Sequence, residues 1–162
     1  MKLPIVCDAD GLRHLAAIPD WHKKLMDTAV LTPHPGEMSA LTGASVAEIQ
    51  SNRQEFAGKY AKEWRHVVVL KGAFTIIAAP DGRQTIIPVA TSALARAGTG
   101  DVLAGLIVGL LAQGVSAYEA AVAGAYIHAQ AGLRAADLLG ATASVLARDV
   151  LASISEILTE LR

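Results

Sequence analysis

The sequence predicts an α/β fold with a mostly parallel sheet, and three observations carry that prediction. Short apolar runs rich in valine, isoleucine and leucine alternate with helix-length stretches, the pattern of βα units. Each run ends in polar or glycine-rich residues, as buried parallel strands do at the edge where α/β proteins bind ligands. A glycine-rich loop, Ala97-Gly98-Thr99-Gly100-Asp101, leads directly into an apolar run from Val102 to Ala112. Loops of that kind at a helix start are shaped to hold an anion such as a phosphate.

The elements follow in order. Leu3 to Cys7 reads as a first strand ending at Asp8 and Asp10. Leu12 to Ala17 reads as a short helix stopped near Pro19. Ala29 to Thr32 is a second strand, running into Pro33-His34-Pro35-Gly36-Glu37 and a short helix closed by Gly43. Ser45-Val46-Ala47-Glu48 is a capping-box pattern. It opens a helix whose Val46, Ile49, Phe56, Tyr60 and Trp64 share one face, with Arg53 in the gap. Val67 to Leu70 is a third strand, ending at Lys71-Gly72. Phe74 to Ala79 and Gln84 to Val89 form a hairpin around Asp81-Gly82. The helix after the glycine loop ends at Gly114. A second capping box, Ser116 to Glu119, opens a helix to about Leu139. The last helix, Ser144 to Leu161, buries Leu146, Val150, Ile154, Ile157, Leu158 and Leu161. Only three strands are parallel candidates, and the first begins at Leu3. The chain therefore reads as a single partial domain, residues 1–162, of a larger sheet whose earlier strands are absent.

Bulk composition excludes several classes. Hydrophobic residues make up 52% and charged residues 18%, which rules out a disordered chain. Net charge is −1 without a basic tract, which argues against nucleic acid as a partner. No apolar stretch approaches the ~20 residues of a membrane span, so no membrane association is expected. Cys7 is the only cysteine, so no internal disulfide is possible and a cytoplasmic location is expected. Cys7 reads as a buried strand residue, not a nucleophile.

Two familiar phosphate loops are excluded. The only Gly-Lys, Gly58-Lys59, is followed by Tyr60, so there is no Walker loop. Leu103 stands where a dinucleotide fingerprint needs a third glycine or alanine. Asp101 in the first helical turn either offsets the helix dipole or acts as the base in phosphoryl chemistry. Asp8 and Asp10 are either solvated strand ends with a capping role or ligands of a Mg²⁺–water cluster. His34 is either hydrogen-bonded to backbone or in contact with substrate. Lys71 either lies near a phosphate as a point charge or reaches out to solvent. His14, His22, His66 and His128 lack metal-ligand spacing, so no protein-held metal site is proposed.

Taken together, several stretches resemble the ADP/ATP-dependent NAD(P)H-hydrate dehydratases of the ribokinase-like superfamily. They are Asp8-Ala9-Asp10-Gly11-Leu12, Leu31-Thr32-Pro33-His34-Pro35-Gly36-Glu37-Met38, Val69-Leu70-Lys71-Gly72-Ala73, Pro80-Asp81-Gly82 and Ala97 to Gly105. Gly-Thr-Gly-Asp alone marks the superfamily; Thr-Pro-His-Pro-Gly-Glu with Leu-Lys-Gly-Ala narrows it to the dehydratases.

The resemblance implies a ribokinase-like three-layer fold and repair of hydrated NADH or NADPH with ATP or ADP and Mg²⁺. It implies nucleotide contacts from Lys71, Gly72, Ala73, Phe74, Thr75 and Gly100. Gly98, Thr99 and Gly100 would form the anion hole. His34 and Asp101 would contact the hydrated dinucleotide, with Asp101 as catalytic base. Arg96 and Thr91-Ser92 depart from the family pattern and either alter the pocket shape or mark a degraded copy. A ribokinase-like kinase of a small alcohol, or an inactive interaction module, are the competing functions. Association is expected, either as a homo-oligomer or with a missing N-terminal segment, because an uncovered sheet edge or face recruits a partner.

Overall fold

The computed structural model describes residues 3–25 and 29–161. Five strands form one sheet: β1 (Val6–Cys7), β2 (Val30–Leu31), β3 (Val67–Leu70), β4 (Ile76–Ala78) and β5 (Gln84–Ile86), in the spatial order β1-β2-β3-β4-β5. β1, β2 and β3 pair in parallel; β4 runs antiparallel to both β3 and β5. All but β4 therefore point the same way. The helices are α1 (Ala9–Ala16), α2 (Trp21–Lys24), α3 (Pro35–Thr42), α4 (Val46–Ser51), α5 (Arg53–Trp64), α6 (Thr99–Ala112), α7 (Ala117–Leu139) and α8 (Ala147–Glu160).

Alternation along β3 sorts the helices into two layers. Side chains of a strand point to opposite faces in turn. Val68 and Leu70 pack with Leu12, Met38, Ile49, Phe56 and Trp64 from α1 and α3 to α5. Val67 and Val69 pack with Leu103, Ile107, Ala121 and Ala125 from α6 and α7. All four strand residues are buried. Such a run can only be a strand covered on both faces. A third cluster, with Ala131, Ala135, Val150 and Ile157, seats α8 on α7. The result is a three-layer α/β/α sandwich.

Several boundaries differ from expectation. β1 is confined to Val6–Cys7; Leu3 and Ile5 are exposed. Cys7 is half-buried. α1 begins at Ala9, ahead of the expected Leu12. The helix expected from Ser45 to Trp64 is two helices, broken at Asn52, whose backbone is non-helical at φ −134° and ψ 38°. Apolar spacing continued across that break and concealed it; Val46 is exposed. β4 starts only at Ile76, because Phe74 holds a left-handed φ of 55°. Ser116 does not cap backbone; its hydroxyl donates to the Glu119 carboxylate at 2.7 Å. Of the expected α8 stripe, Val150 and Ile157 are buried, while Leu146, Leu158 and Leu161 are exposed. No helix is long and apolar enough to cross a membrane, among the described residues.

Candidate active site

The parallel strands deliver their C-terminal residues to one edge of the sheet. Asp8 follows β1, His34 and Glu37 follow β2, and Lys71 follows β3. Lys71 Nζ lies 2.6 Å from Asp8 Oδ1 and 3.6 Å from Glu37 Oε2. These three side chains are 19%, 11% and 4% exposed, so one ammonium is held between two largely desolvated carboxylates. Removing one partner from such a pair characteristically costs about 3–5 kcal/mol. The same carboxylates, after burial itself, push the Cys7 thiol above its ordinary pKa. A protonated, half-buried thiol is a poor nucleophile.

His34 is the N-cap of α3. Its Nδ1 accepts the N–H groups of Gly36 and Glu37, and Glu37 Oε2 accepts the His34 N–H at 2.7 Å. His34 Nε2 lies 3.3 Å from Glu37 Oε1. These bonds to backbone anchor Glu37 inward toward Lys71, while the His34 side chain stays 47% exposed. Asp10 is exposed and, among the described residues, pairs only with Arg13, at 3.6 Å. No three His, Cys, Asp or Glu side chains are grouped to hold a metal ion, among the described residues.

The glycine loop comes to the same edge. Gly98 takes φ 88°, a left-handed turn open to glycine at little cost. Thr99 is buried, and its hydroxyl donates to the carbonyls of Leu94 and Arg96 at 2.7 and 2.8 Å. The Thr99 N–H also bonds Arg96, at 3.3 Å. Thr99 therefore braces the loop. Among the described residues, the N–H groups of Gly100 and Asp101 are free in the first turn of α6, as helix starts leave them. A Cβ on Gly100 would lie 3.3 Å from Asp8 Oδ2 and 3.4 Å from Lys71 Nζ. The glycine thus lets the helix start approach the ion pair closely.

Beside this junction opens a cleft of about 690 Å³. Lys71, Gly72, Ala73, Thr75 and Gly100 line its polar end. Ile87, Val89, Leu94, Leu103 and two alanines of α7 line its apolar part. Thr91, Ala95 and His128 complete the wall. The His128 Nε2 lies 2.8 Å from the Thr99 carbonyl. Burial, aided by the nearby Lys71 charge, pushes the His128 pKa down to about 4.

Arg53 was legible in the sequence only as a gap in a hydrophobic face. It is the first residue of α5, placed by the break at Asn52. Its guanidinium donates to the Leu70 carbonyl at 3.0 Å and to that of Ala73, clamping the Lys71–Gly72 turn from below. A Cβ on Gly72 would meet this guanidinium at 2.9 Å. Burial lowers the Arg53 pKa.

The remaining expected residues adjoin the cleft lining without being part of it: Phe74 lies between Ala73 and Thr75, and Asp101 follows Gly100. Phe74 is exposed, with its N–H bonded to the Val89 carbonyl. Asp101 is exposed and makes no hydrogen bond or ion pair among the described residues. It stands at the head of an apolar groove between α6 and α8, lined by Val102, Gly105, Leu106, Leu151 and Leu158. Asp101 and the cleft thus flank the same helix start. Of the sequence departures, Thr91 faces the cleft, and its hydroxyl accepts the Ala93 N–H. Ser92 and Arg96 instead tie the loop to Thr142 and Ala143, at 2.9 and 2.7 Å.

Comparison with known proteins gives a consistent result. The family model described as NAD(P)H-hydrate dehydratase matches residues 1–156. The bifunctional NAD(P)H-hydrate repair enzyme of Moorella thermoacetica is 45% identical over 161 residues, 99% of this chain and 30% of its own length. The ADP-dependent (S)-NAD(P)H-hydrate dehydratase of Neisseria meningitidis is 38% identical, over 91% of this chain and 50% of its own. Among solved structures, the Bacillus subtilis ADP/ATP-dependent NAD(P)H-hydrate dehydratase, co-crystallized with ATP/Mg²⁺, superposes with a TM-score of 0.85 at 32% identity. That match covers 99% of this chain and 56% of the Bacillus chain. The chain thus spans about half the length of the single-function relatives it matches, and less of the bifunctional ones.

Proposed function

The chain belongs to the NAD(P)H-hydrate dehydratase family, and from that premise we propose that it takes part in nucleotide-dependent dehydration of hydrated NADH or NADPH. One observation supports this most directly. Lys71, the first-turn N–H groups of α6 and the Gly100 approach converge at the mouth of one cleft. A positive point charge and free helix N–H groups are what a phosphate chain needs. The nucleotide is ATP or ADP, held by Lys71, Gly72, Ala73, Phe74, Thr75 and Gly100. The relatives' names and the ATP/Mg²⁺ co-crystal of the Bacillus protein support that choice. Mg²⁺ accompanies the phosphates, held chiefly by them and by water.

His34 and Asp101 contact the hydrated dinucleotide in this proposal. The exposed Asp101 carboxylate takes the proton from the C6 hydroxyl of the damaged ring. The hydroxyl oxygen then bonds to the terminal phosphorus, and the bond from that phosphorus to the nucleotide's bridging oxygen breaks. The N–H groups of Gly100 and Asp101 stabilise the phosphoryl oxygens. With Gly98 setting the turn and Thr99 bracing it, these donors are fixed before the ligand arrives. Phosphate then leaves C6, pushed by the ring nitrogen's lone pair, and loss of a ring proton restores the double bond.

Association and location belong to the same proposal. The apolar groove beside Asp101 and the edge of β1 are covered in the active protein, by a second copy or by the additional N-terminal strands of the family. Sedimentation that finds a stable monomer at micromolar concentration refutes the need for such a cover. A cytoplasmic setting fits the single thiol.

The activity test mixes protein, ATP or ADP, Mg²⁺ and hydrated NADH and follows the near-ultraviolet absorbance of dihydronicotinamide. It is run with the chain alone and with the N-terminal portion of a longer relative supplied. Nucleotide-dependent recovery supports dehydration. No recovery in either format, with phosphorylation of a hydroxymethylpyrimidine or sugar instead, replaces it with kinase activity. Neither activity and no nucleotide binding leaves an interaction module.

A further inference from the structure

The dehydration chemistry above makes no use of His128, yet its ring is placed to read the ligand. His128 is 7% exposed and lines the cleft. The Thr99 carbonyl can only accept, so the Nε2 facing it carries the proton. Nδ1 is then a bare acceptor on a neutral ring. Nδ1 makes no hydrogen bond among the described residues. Nor is it sealed away: Arg53 Nε is the one buried, unpartnered side-chain nitrogen or oxygen among them. Nδ1 therefore reaches solvent, and the space His128 borders is the cleft.

Its position within the cleft selects the ligand group. Thr99, which His128 holds, adjoins Gly100, and Gly100 abuts Lys71 at the phosphate end. Ile87 and Val89 mark the apolar part, suited to a flat base. A group next to the phosphates and short of the base is the sugar. We propose that His128 Nδ1 accepts a hydrogen bond from a ribose hydroxyl of the bound nucleotide, which makes His128 a specificity-determining residue. The proposal rests on the nucleotide reading of the cleft. It also links the sugar to the glycine loop, because the same ring grips Thr99 with its other nitrogen.

The test is calorimetric titration with Mg²⁺ complexes of ATP, 2′-deoxy-ATP and 3′-deoxy-ATP, with ITP as the base control. Wild-type protein and His128→Gln are compared. The glutamine amide keeps an N–H for Thr99 and removes the acceptor at Nδ1. One neutral hydrogen bond corresponds to about a three- to tenfold change in affinity. Wild type binds one deoxy analogue that much more weakly than ATP. His128→Gln weakens ATP by the same factor and no longer discriminates. Equal binding of ATP and both deoxy analogues by wild type overturns the proposal. So does a variant that discriminates as wild type does. A penalty that appears with ITP and vanishes in the variant moves the donor to the base and also overturns it. If His128→Gln does not fold, the wild-type analogue series and His128→Asn decide. Absence of any nucleotide binding overturns the nucleotide reading as well, which separates the two failures.

Discussion

Acid should destabilise this protein through His128. The folded-state pKa is about 4, set mainly by burial; an unfolded histidine titrates near 6.5. Below about pH 6.5 the unfolded chain binds a proton that the folded chain refuses, so stability falls as pH falls. The contribution is fully present above the unfolded pKa and fully lost below the folded one. The whole span is worth roughly 3 kcal/mol, and between about pH 7 and about pH 5 the loss is roughly 2 kcal/mol. Because the ring is 7% exposed, solvent screening removes little of this. The assay is urea unfolding of wild type and His128→Gln at a series of pH values. Carboxylates titrate in both proteins and cancel in the difference. The wild type should lose roughly 2 kcal/mol more than the variant between about pH 7 and about pH 5. Identical slopes would refute the reasoning, since they would mean that His128 is as easily protonated in the fold as out of it.

Asp101→Asn keeps the shape of the helix start and removes the proton acceptor, so turnover should fall by about 10²–10⁴ in the nucleotide-dependent assay; wild-type turnover would remove Asp101 from the mechanism. Arg53→Met deletes two charge-assisted bonds to the Leu70 and Ala73 carbonyls. It should lower stability by about 2–4 kcal/mol and speed amide exchange across 71–75, with Arg53→Lys recovering only part; unchanged exchange there would show that the clamp is idle. Gly124→Ala should destabilise by about 1–3 kcal/mol, because its Cβ would meet Ile107 Cγ1 at 2.8 Å. Gly109→Ala has open space around it and should instead gain about 1 kcal/mol in helix propensity. Thermal unfolding of the two variants checks the opposite signs.

Elements with local causes were legible in the sequence. Val67 to Leu70 could be read from an unbroken apolar run of three valines and a leucine, and the hairpin from Asp81-Gly82, whose Gly82 takes φ 96°. The close of α3 could be read from Gly43, which takes φ 76°. What escaped depends on partners far along the chain. Lys71 meets Asp8 across 63 positions, and no local pattern announces that pairing. Glu37 carries a charge that ordinarily marks a surface, yet the His34 cap turns it inward. Arg53 reads only as a gap in an apolar face, because the break at Asn52, which redirects it, has no glycine or proline to signal it. His128 sits in an alanine-rich helix whose small side chains let it reach the glycine loop, a contact spanning 29 positions.

β1 has a further consequence for motion. It is two residues long and joins the sheet through few ladder bonds, Val30 N–H to the Ile5 carbonyl at 2.9 Å and Thr32 N–H to the Cys7 carbonyl at 3.1 Å among them. Short end strands exchange their amides early, because breaking them opens little of the core. Asp8 rides on that strand. Each time β1 lifts, Lys71 loses its nearest counter-charge and keeps only Glu37, and the potential at the cleft mouth swings toward positive. Where nothing covers its outer edge, the breathing of β1 thereby modulates the electrostatic pull felt by an approaching anion. Capture of an anion there should track the opening frequency of β1, even though no atom of that strand need touch the incoming molecule.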